Sequence, residues 1–205
     1  MQTGKVHIWN MALGFVGTRS VASEDEVTPE AQQCALYWDS ARRQALRDYP
    51  WNWAQRRVAL AEQPMPEAWA AEWAYAYALP TKCLKLHRVV PEGKRAPHDA
   101  CRVPCKLVHG DDGATLILTQ APAAWADYTS DVSEVAFWDD LFVGLMARKL
   151  AAMVAVSLLK NNQAKVQELE QLYRAALPPA FEGAASEQQD KPQPDTWLLA
   201  RGGAR

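Results

Sequence analysis

Between Thr28 and Tyr49 the apolar positions Ala31, Cys34, Trp38, Ala41 and Ala45 recur at steps of three and four, with Arg42, Arg43, Arg47 and Asp48 largely off that stripe. A 3.6-residue repeat gathers such positions on one face, so the spacing predicts an amphipathic helix. Thr28 is placed to cap it, Pro29 suits its first position, Glu30 suits the positive end of its dipole, and Pro50 stops it after Tyr49. A shorter helix is predicted around His7 to Leu13, closed by Gly14. From Val135 to Leu159 apolar residues cover most of the circumference, and Ala147, Ala151, Ala152 and Ala155 permit close helix approach. That pattern predicts a helix buried on several sides. Arg148 and Lys149 at its middle argue against a membrane span, so it reads as a core helix. After Asn161-Asn162, the positions Val166, Leu169, Leu172, Tyr173 and Ala176 mark a further amphipathic helix, which Pro178-Pro179 are predicted to end.

Between these helices the period changes to two. In Trp73-Ala74-Tyr75-Ala76-Tyr77-Ala78-Leu79 large residues alternate with alanine, and Leu84 to Val90 alternates as well, as strands do. Cys105 to His109 and Ala114 to Thr119 flank Gly110-Asp111-Asp112-Gly113, which predicts a β-hairpin. The fold class expected from these patterns is mainly α: an antiparallel helix bundle with an inserted small β-rich subdomain and an extended C-terminal arm. Residues 1–65 and 133–180 would form the bundle, 66–132 the insertion and 181–205 the arm. Within that arm Glu182 to Pro194 has the polar, proline-bearing composition of an extended linker. It leads to Trp197, Leu198 and Leu199, an apolar cluster that gains nothing by standing in water, so a receiving surface is expected.

Composition changes this picture little. The 205 residues carry 49% apolar and 22% charged residues, ordinary globular usage for one generous domain or one domain with an insertion and tails. Nine tryptophans are the outlier, and they suit cores and self-association surfaces alike. The net charge of -2 gives no basic footprint for tight binding to a nucleic-acid backbone. The first residues lack a secretory pattern, and four cysteines in a chain of this length give no secreted disulfide framework, which favours reduced thiols.

Candidate chemistry is sparse. His98, Cys101, Cys105 and His109 offer four zinc-type ligands within twelve residues. On an extended strand Cys101 and His109 would lie too far apart to converge, and no Cys-x-x-Cys knuckle is present, so no metal or other cofactor is expected. The pairs Asp111-Asp112 and Asp139-Asp140 and the run Glu24-Asp25-Glu26 read as turn and helix-start chemistry. No nucleophile elbow, phosphate loop or zinc-protease motif occurs, so no catalytic residues are assigned and an enzyme of those classes is not expected. Arg42-Arg43 and Arg56-Arg57, interleaved with Trp51 and Trp53, could form a stacking surface for nucleic acid; a solvated helix face beside an aromatic core edge is the preferred reading.

Several segments, taken in order, resemble the head-to-tail adaptors of short-tailed bacteriophages, the tail tubular protein A family. Ile8-Trp9-Asn10-Met11-Ala12-Leu13-Gly14 is a compressed match to the family's N-terminal Ile-Asn-x-Ala-Leu-x-x-Leu-Gly motif. Cys34-Ala35-Leu36-Tyr37 resembles part of its first long helix. Tyr49-Pro50-Trp51-Asn52-Trp53-Ala54-Gln55-Arg56-Arg57 resembles Pro-Trp-x-Phe-Ala-x-x-Arg, with Trp53 where Phe is usual. Trp73 to Leu84 is similar to Trp-x-Tyr-x-Tyr-x-Leu-Pro-x-Asp-Cys-Leu, with Lys82 in place of Asp. Asp195-Thr196-Trp197-Leu198-Leu199-Ala200-Arg201 resembles the closing Ser-Trp-x-x-Ala-Arg.

The resemblance spans essentially the whole chain. It implies a structural connector forming a homo-oligomeric ring of about twelve copies between a portal protein and the tail nozzle. That ring would continue the channel for double-stranded DNA without sequence-specific binding and without a membrane. The location implied is the neck of the virion, reached from the host cytoplasm during assembly. Trp51, Trp53, Trp73, Tyr75 and Tyr77 are then structural motif aromatics, and Trp197, Leu198, Leu199 and Arg201 the portal-docking residues. Some related adaptors degrade the cell wall, which makes a peptidoglycan hydrolase the alternative, and a DNA-binding accessory protein is a weaker one.

Overall fold

The computed structural model describes residues 4–92, 103–110, 113–159 and 162–186. Helix α1, Lys5–Val16, and helix α2, Pro29–Asp48, are linked by a loop that Asn10 pins from both sides. Its amide donates to the Val21 carbonyl at 2.9 Å, and Val21 N–H donates to its side-chain oxygen at 2.8 Å. At α2 the Thr28 hydroxyl accepts from Ala31 N–H, and the stripe Ala31, Cys34, Trp38, Ala41 and Ala45 is buried as its spacing predicts. Helix α1 does not stop at Gly14. It continues to Val16, and Gly17, at φ 84, makes the left-handed turn that returns its N–H to the Leu13 and Gly14 carbonyls.

Helix α3, Asp140–Leu158, is the centre of the bundle and packs against α1, α2 and helix α4, Gln163–Ser186. Its start is set by Asp139, whose carboxylate accepts from Phe142 N–H at 2.6 Å, while Val135–Phe137 form a separate 3-10 turn. Ala147, Ala151 and Ala155 are fully buried at the helix contacts, as small side chains there allow. This helix is long and apolar enough to cross a membrane, yet half of that stretch is buried against its neighbours.

Pro178 and Pro179 do not end α4; both lie inside it. Each removes one backbone donor, a local loss of the kind that normally breaks a helix. Packing beyond them offsets the loss. Ala180 and Ala184 are buried, Phe181 stacks on Tyr49 at 4.6 Å, and the Asn52 amide donates to the Ala184 carbonyl at 2.8 Å. Both proline rings stay exposed, so they cover no core and obstruct none.

Two antiparallel sheets complete the fold of the described residues. Strands β1, Gln55–Ala59, β7, Ala124–Ser130, and β4, Cys83–Pro91, form one sheet in the order β1-β7-β4. Strands β2, Glu62–Gln63, β3, Tyr75–Ala78, β6, Thr115–Thr119, and β5, Cys105–His109, form the other in the order β2-β3-β6-β5. The expected hairpin is β5 with β6, in the register Cys105 to Thr119. Tyr77 and Ile117 of the second sheet meet Val89 and Ala124 of the first, while Ala76, Leu116 and Leu118 face Met65, Trp69 and Trp73 on the other side. Strand β6 is therefore covered on both faces.

The architecture is a mixed α and β fold rather than the mainly α bundle that periodicity predicts: 49% helix is matched with 23% strand in two sheets. The β part is larger than expected because it starts at Gln55, not at residue 66. Strand β1 reads Gln-Arg-Arg-Val-Ala and is almost wholly exposed, so no apolar alternation reveals it. Its place is set by pairing with β7 through five residues, from Gln55 opposite Thr129 to Ala59 opposite Trp125.

Candidate functional site

The motif aromatics Trp51 and Trp53 sit where the bundle meets the sheets. Trp51 is fully buried, donates from its indole to the Ala45 carbonyl at 3.1 Å, and meets Phe142 edge-on at 5.1 Å. Trp53 donates at 2.6 Å to Asp139, the carboxylate that caps α3. Two residues later the chain enters β1, so one short stretch fastens α2, α3 and the first sheet. Arg56 turns back to the carbonyls of Trp53 and Gln55. A nucleic-acid stacking surface needs exposed ring faces, and these rings face the core, so the stacking reading is not carried by this geometry.

Tyr75 and Tyr77 stack at 6.4 Å within β3, and the buried Tyr77 hydroxyl donates to the Ala121 carbonyl at 2.9 Å. Burial raises the Tyr77 pKa, keeping it a neutral donor. Trp73 is half-buried over the second sheet and its indole N–H has no hydrogen-bond partner among the described residues. Trp197, Leu198, Leu199 and Arg201 lie outside the described residues, as do His98 and Cys101 of the zinc-type set. Its other two members, Cys105 and His109, occupy opposite ends of β5, and among the described residues no three ligand-type side chains gather.

Two charged nodes were not legible in the sequence. Asp127 on β7 receives Arg57 from β1 and Arg88 from β4, the latter at 2.6 Å, so one carboxylate ties all three strands. Burial pushes its carboxyl up, but the two guanidinium partners outweigh that and hold it below the ordinary carboxylate range. Asp131, just past β7, meets Arg42 at 3.0 Å and Arg43 at 3.7 Å on α2. Arg42 is buried rather than solvated and also reaches Asp39 at 3.1 Å, so that basic doublet joins the two halves of the molecule. The periodicity places Asp127 and Asp131 nowhere special; only strand pairing brings their partners in.

A concavity lies between α2 and α4, with α3 as its floor. It holds about 550 Å³ and is lined by Tyr37 and Gln44, by Ala152, Met153 and Val156, and by Tyr173 and Leu177. Lys149, Asp48, Glu170 and Arg174 stand around it. Asp48 accepts a hydrogen bond from Tyr173, and Lys149 sits 4.5 Å over the Tyr173 ring. Burial, then the Asp48 carboxylate, raises the Tyr173 pKa. Two carboxylates thus line one cleft, which is the minimum for glycoside hydrolysis. Asp48 is engaged by Tyr173, and Glu170 is exposed beside Arg174 at 3.8 Å.

No protein-family model matches the chain, and no curated protein is significantly similar to it.

Proposed function

We propose that this protein is a structural head-to-tail adaptor of the short-tailed phage type, a ring-forming connector that carries the DNA channel from portal to nozzle. The observation that carries this reading is the ordered series of motifs from Ile8 to Arg201, whose central members Trp51 and Trp53 fasten the bundle to the sheets. A wall built from repeated subunits needs each subunit to be one stiff block, and such a fastening supplies it. A near-neutral net charge of -2 fits a channel through which DNA must slide without being held. The partners on this reading are a portal, a nozzle protein and other copies of the chain, and the location is the virion neck.

Trp197, Leu198, Leu199 and Arg201 are proposed to dock on the portal, the indole filling a pocket and the guanidinium fixing orientation. The test is binding of the full chain, and of a chain lacking residues 193–205, to purified portal rings of short-tailed phages. Deletion abolishes binding on this reading, and Trp197→Ala weakens it more than Arg201→Ala. Unchanged affinity after deletion refutes the docking role.

A further inference from the structure

The α2–α4 groove leaves apolar surface of the central helix open to water. Val156 is 62% exposed although it belongs to the core-forming α3, and Met153 and Ala152 beside it are only half-buried. A second hollow of about 410 Å³, lined by Val156, Leu159 and Val166, continues the groove towards the start of α4. At the opposite end the Asp48 to Tyr173 hydrogen bond and the Tyr49 to Phe181 stack bridge α2 and α4. The outcome is a trough with an apolar floor, charges of both signs along its edge and no occupant among the described residues.

The chain itself carries a segment of matching chemistry within reach. Helix α4 is described as far as Ser186, and near that point it lies beside the start of α3, where Gly183 packs so closely that a Cβ there would lie 2.5 Å from Leu141. From Ser186 back along α4 to Tyr173 is ~20 Å at 1.5 Å per residue. Residues 187–196, if extended, span ~33 Å at ~3.3 Å per residue, enough to pass the Tyr49 to Phe181 bridge and enter the trough. At the far end of that span stands Asp195-Thr196-Trp197-Leu198-Leu199-Ala200-Arg201, an apolar trio between one acid and one base. Lys149 and Arg174 can face the acid, and Asp48 and Glu170 the base.

We propose that residues 195–201 of the same chain occupy the α2–α4 groove, with Trp197, Leu198 and Leu199 on the floor of Ala152, Met153 and Val156. A tether of ten residues holds the segment at a millimolar-scale effective concentration, which favours this intramolecular contact over one from a second copy in dilute solution. The contact is internal to the chain and does not rest on the adaptor reading. If it does dock, portal and groove compete for the same tryptophan.

The test places a photoreactive benzophenone side chain at Leu198 of the full-length protein, irradiates it dilute, and maps the adducts by mass spectrometry. The expected adducts lie within one chain on Met153, Val156 or Leu177. Val156→Glu, at an exposed position that the fold does not need filled, lowers their yield roughly tenfold by placing a charge on the floor, whereas Val156→Leu keeps it. Adducts between chains assign the groove to a second copy and overturn the proposal. Adducts scattered over the surface, no adducts, or a yield unmoved by Val156→Glu overturn it equally.

Discussion

The helical bundle and the two-sheet unit meet the same demand for burial in different ways. In the bundle, Trp9, Trp51, Phe142, Leu46, Leu145, Met146 and Leu150 are all fully buried, and aromatic rings run in contact from Trp9 through Trp38, Trp138 and Phe142 to Trp51. In the sheets only Tyr77, Ile117 and Leu118 among the large described residues reach that state. Polar bonds take a larger share there: Asp127 to two arginines, Tyr77 to Ala121, Thr119 to the Pro104 carbonyl and His87 to Thr129 at 2.8 Å. A thick core gains most from area removed from water, whereas thin layers depend more on having every buried polar group matched. The bundle should therefore fail through cavities and the sheets through broken polar contacts.

The sharpest way to break that contrast is Trp51→Ala. It opens a cavity at the junction and is expected to destabilise the protein by ~3–5 kcal/mol, read as a lower midpoint in urea denaturation; a loss below ~1 kcal/mol would show that the bundle tolerates the hole. Asp127→Asn comes next, with an expected loss of ~1–3 kcal/mol that is tempered by the partial exposure of both arginines. Its mark is selective: faster amide exchange in β1, β4 and β7, with the bundle unchanged. Asp139→Ala removes both the α3 cap and the Trp53 acceptor, for ~1–2 kcal/mol, and equal effects on α3 and β1 exchange would demonstrate the coupling of the two halves.

Acid gives a smaller, testable difference. Burial, then the neighbouring Lys85 charge, holds the His87 imidazole below its ordinary value. The unfolded chain therefore takes up this proton first, so the stability tied to neutral His87 is complete above ~pH 6.5 and declines as the pH falls below it. The melting temperature should drop between neutral pH and pH 5, and His87→Gln should flatten that slope. Asp127, held below its ordinary value, adds a second loss only further down, as the pH falls through the carboxylate range. Thiol labelling separates the two regions last. Burial and then Glu30 push the Cys34 thiol up to about 12, so it should resist alkylation until the bundle opens, whereas exposed Cys105 should label in the folded protein. Equal labelling rates would contradict that.

Legibility in the sequence depended on which forces act locally. The α2 stripe, the Thr28 cap, the β5–β6 hairpin and the buried α3 come from period and turn chemistry, which neighbouring residues decide. Strand β1 was hidden because its residues are polar and exposed, and only pairing with β7, about seventy positions on, defines it. The continuation of α4 through Pro178-Pro179 was hidden likewise, since Phe181 and Ala184 meet partners from the Tyr49 to Asn52 turn. Arg42 looked like a surface charge because Asp131, its partner, is brought alongside only by the fold. Of the motif aromatics, Trp51, Trp53 and Tyr77 donate to Ala45, Asp139 and Ala121, and Tyr75 stacks on Tyr77.

The adaptor reading is tested most directly by imaging the purified protein in negative stain, alone and mixed with portal rings of short-tailed phages. The account predicts single subunits alone and a closed ring seated on one face of the portal in the mixture. Portal rings that remain bare at saturating protein would contradict it.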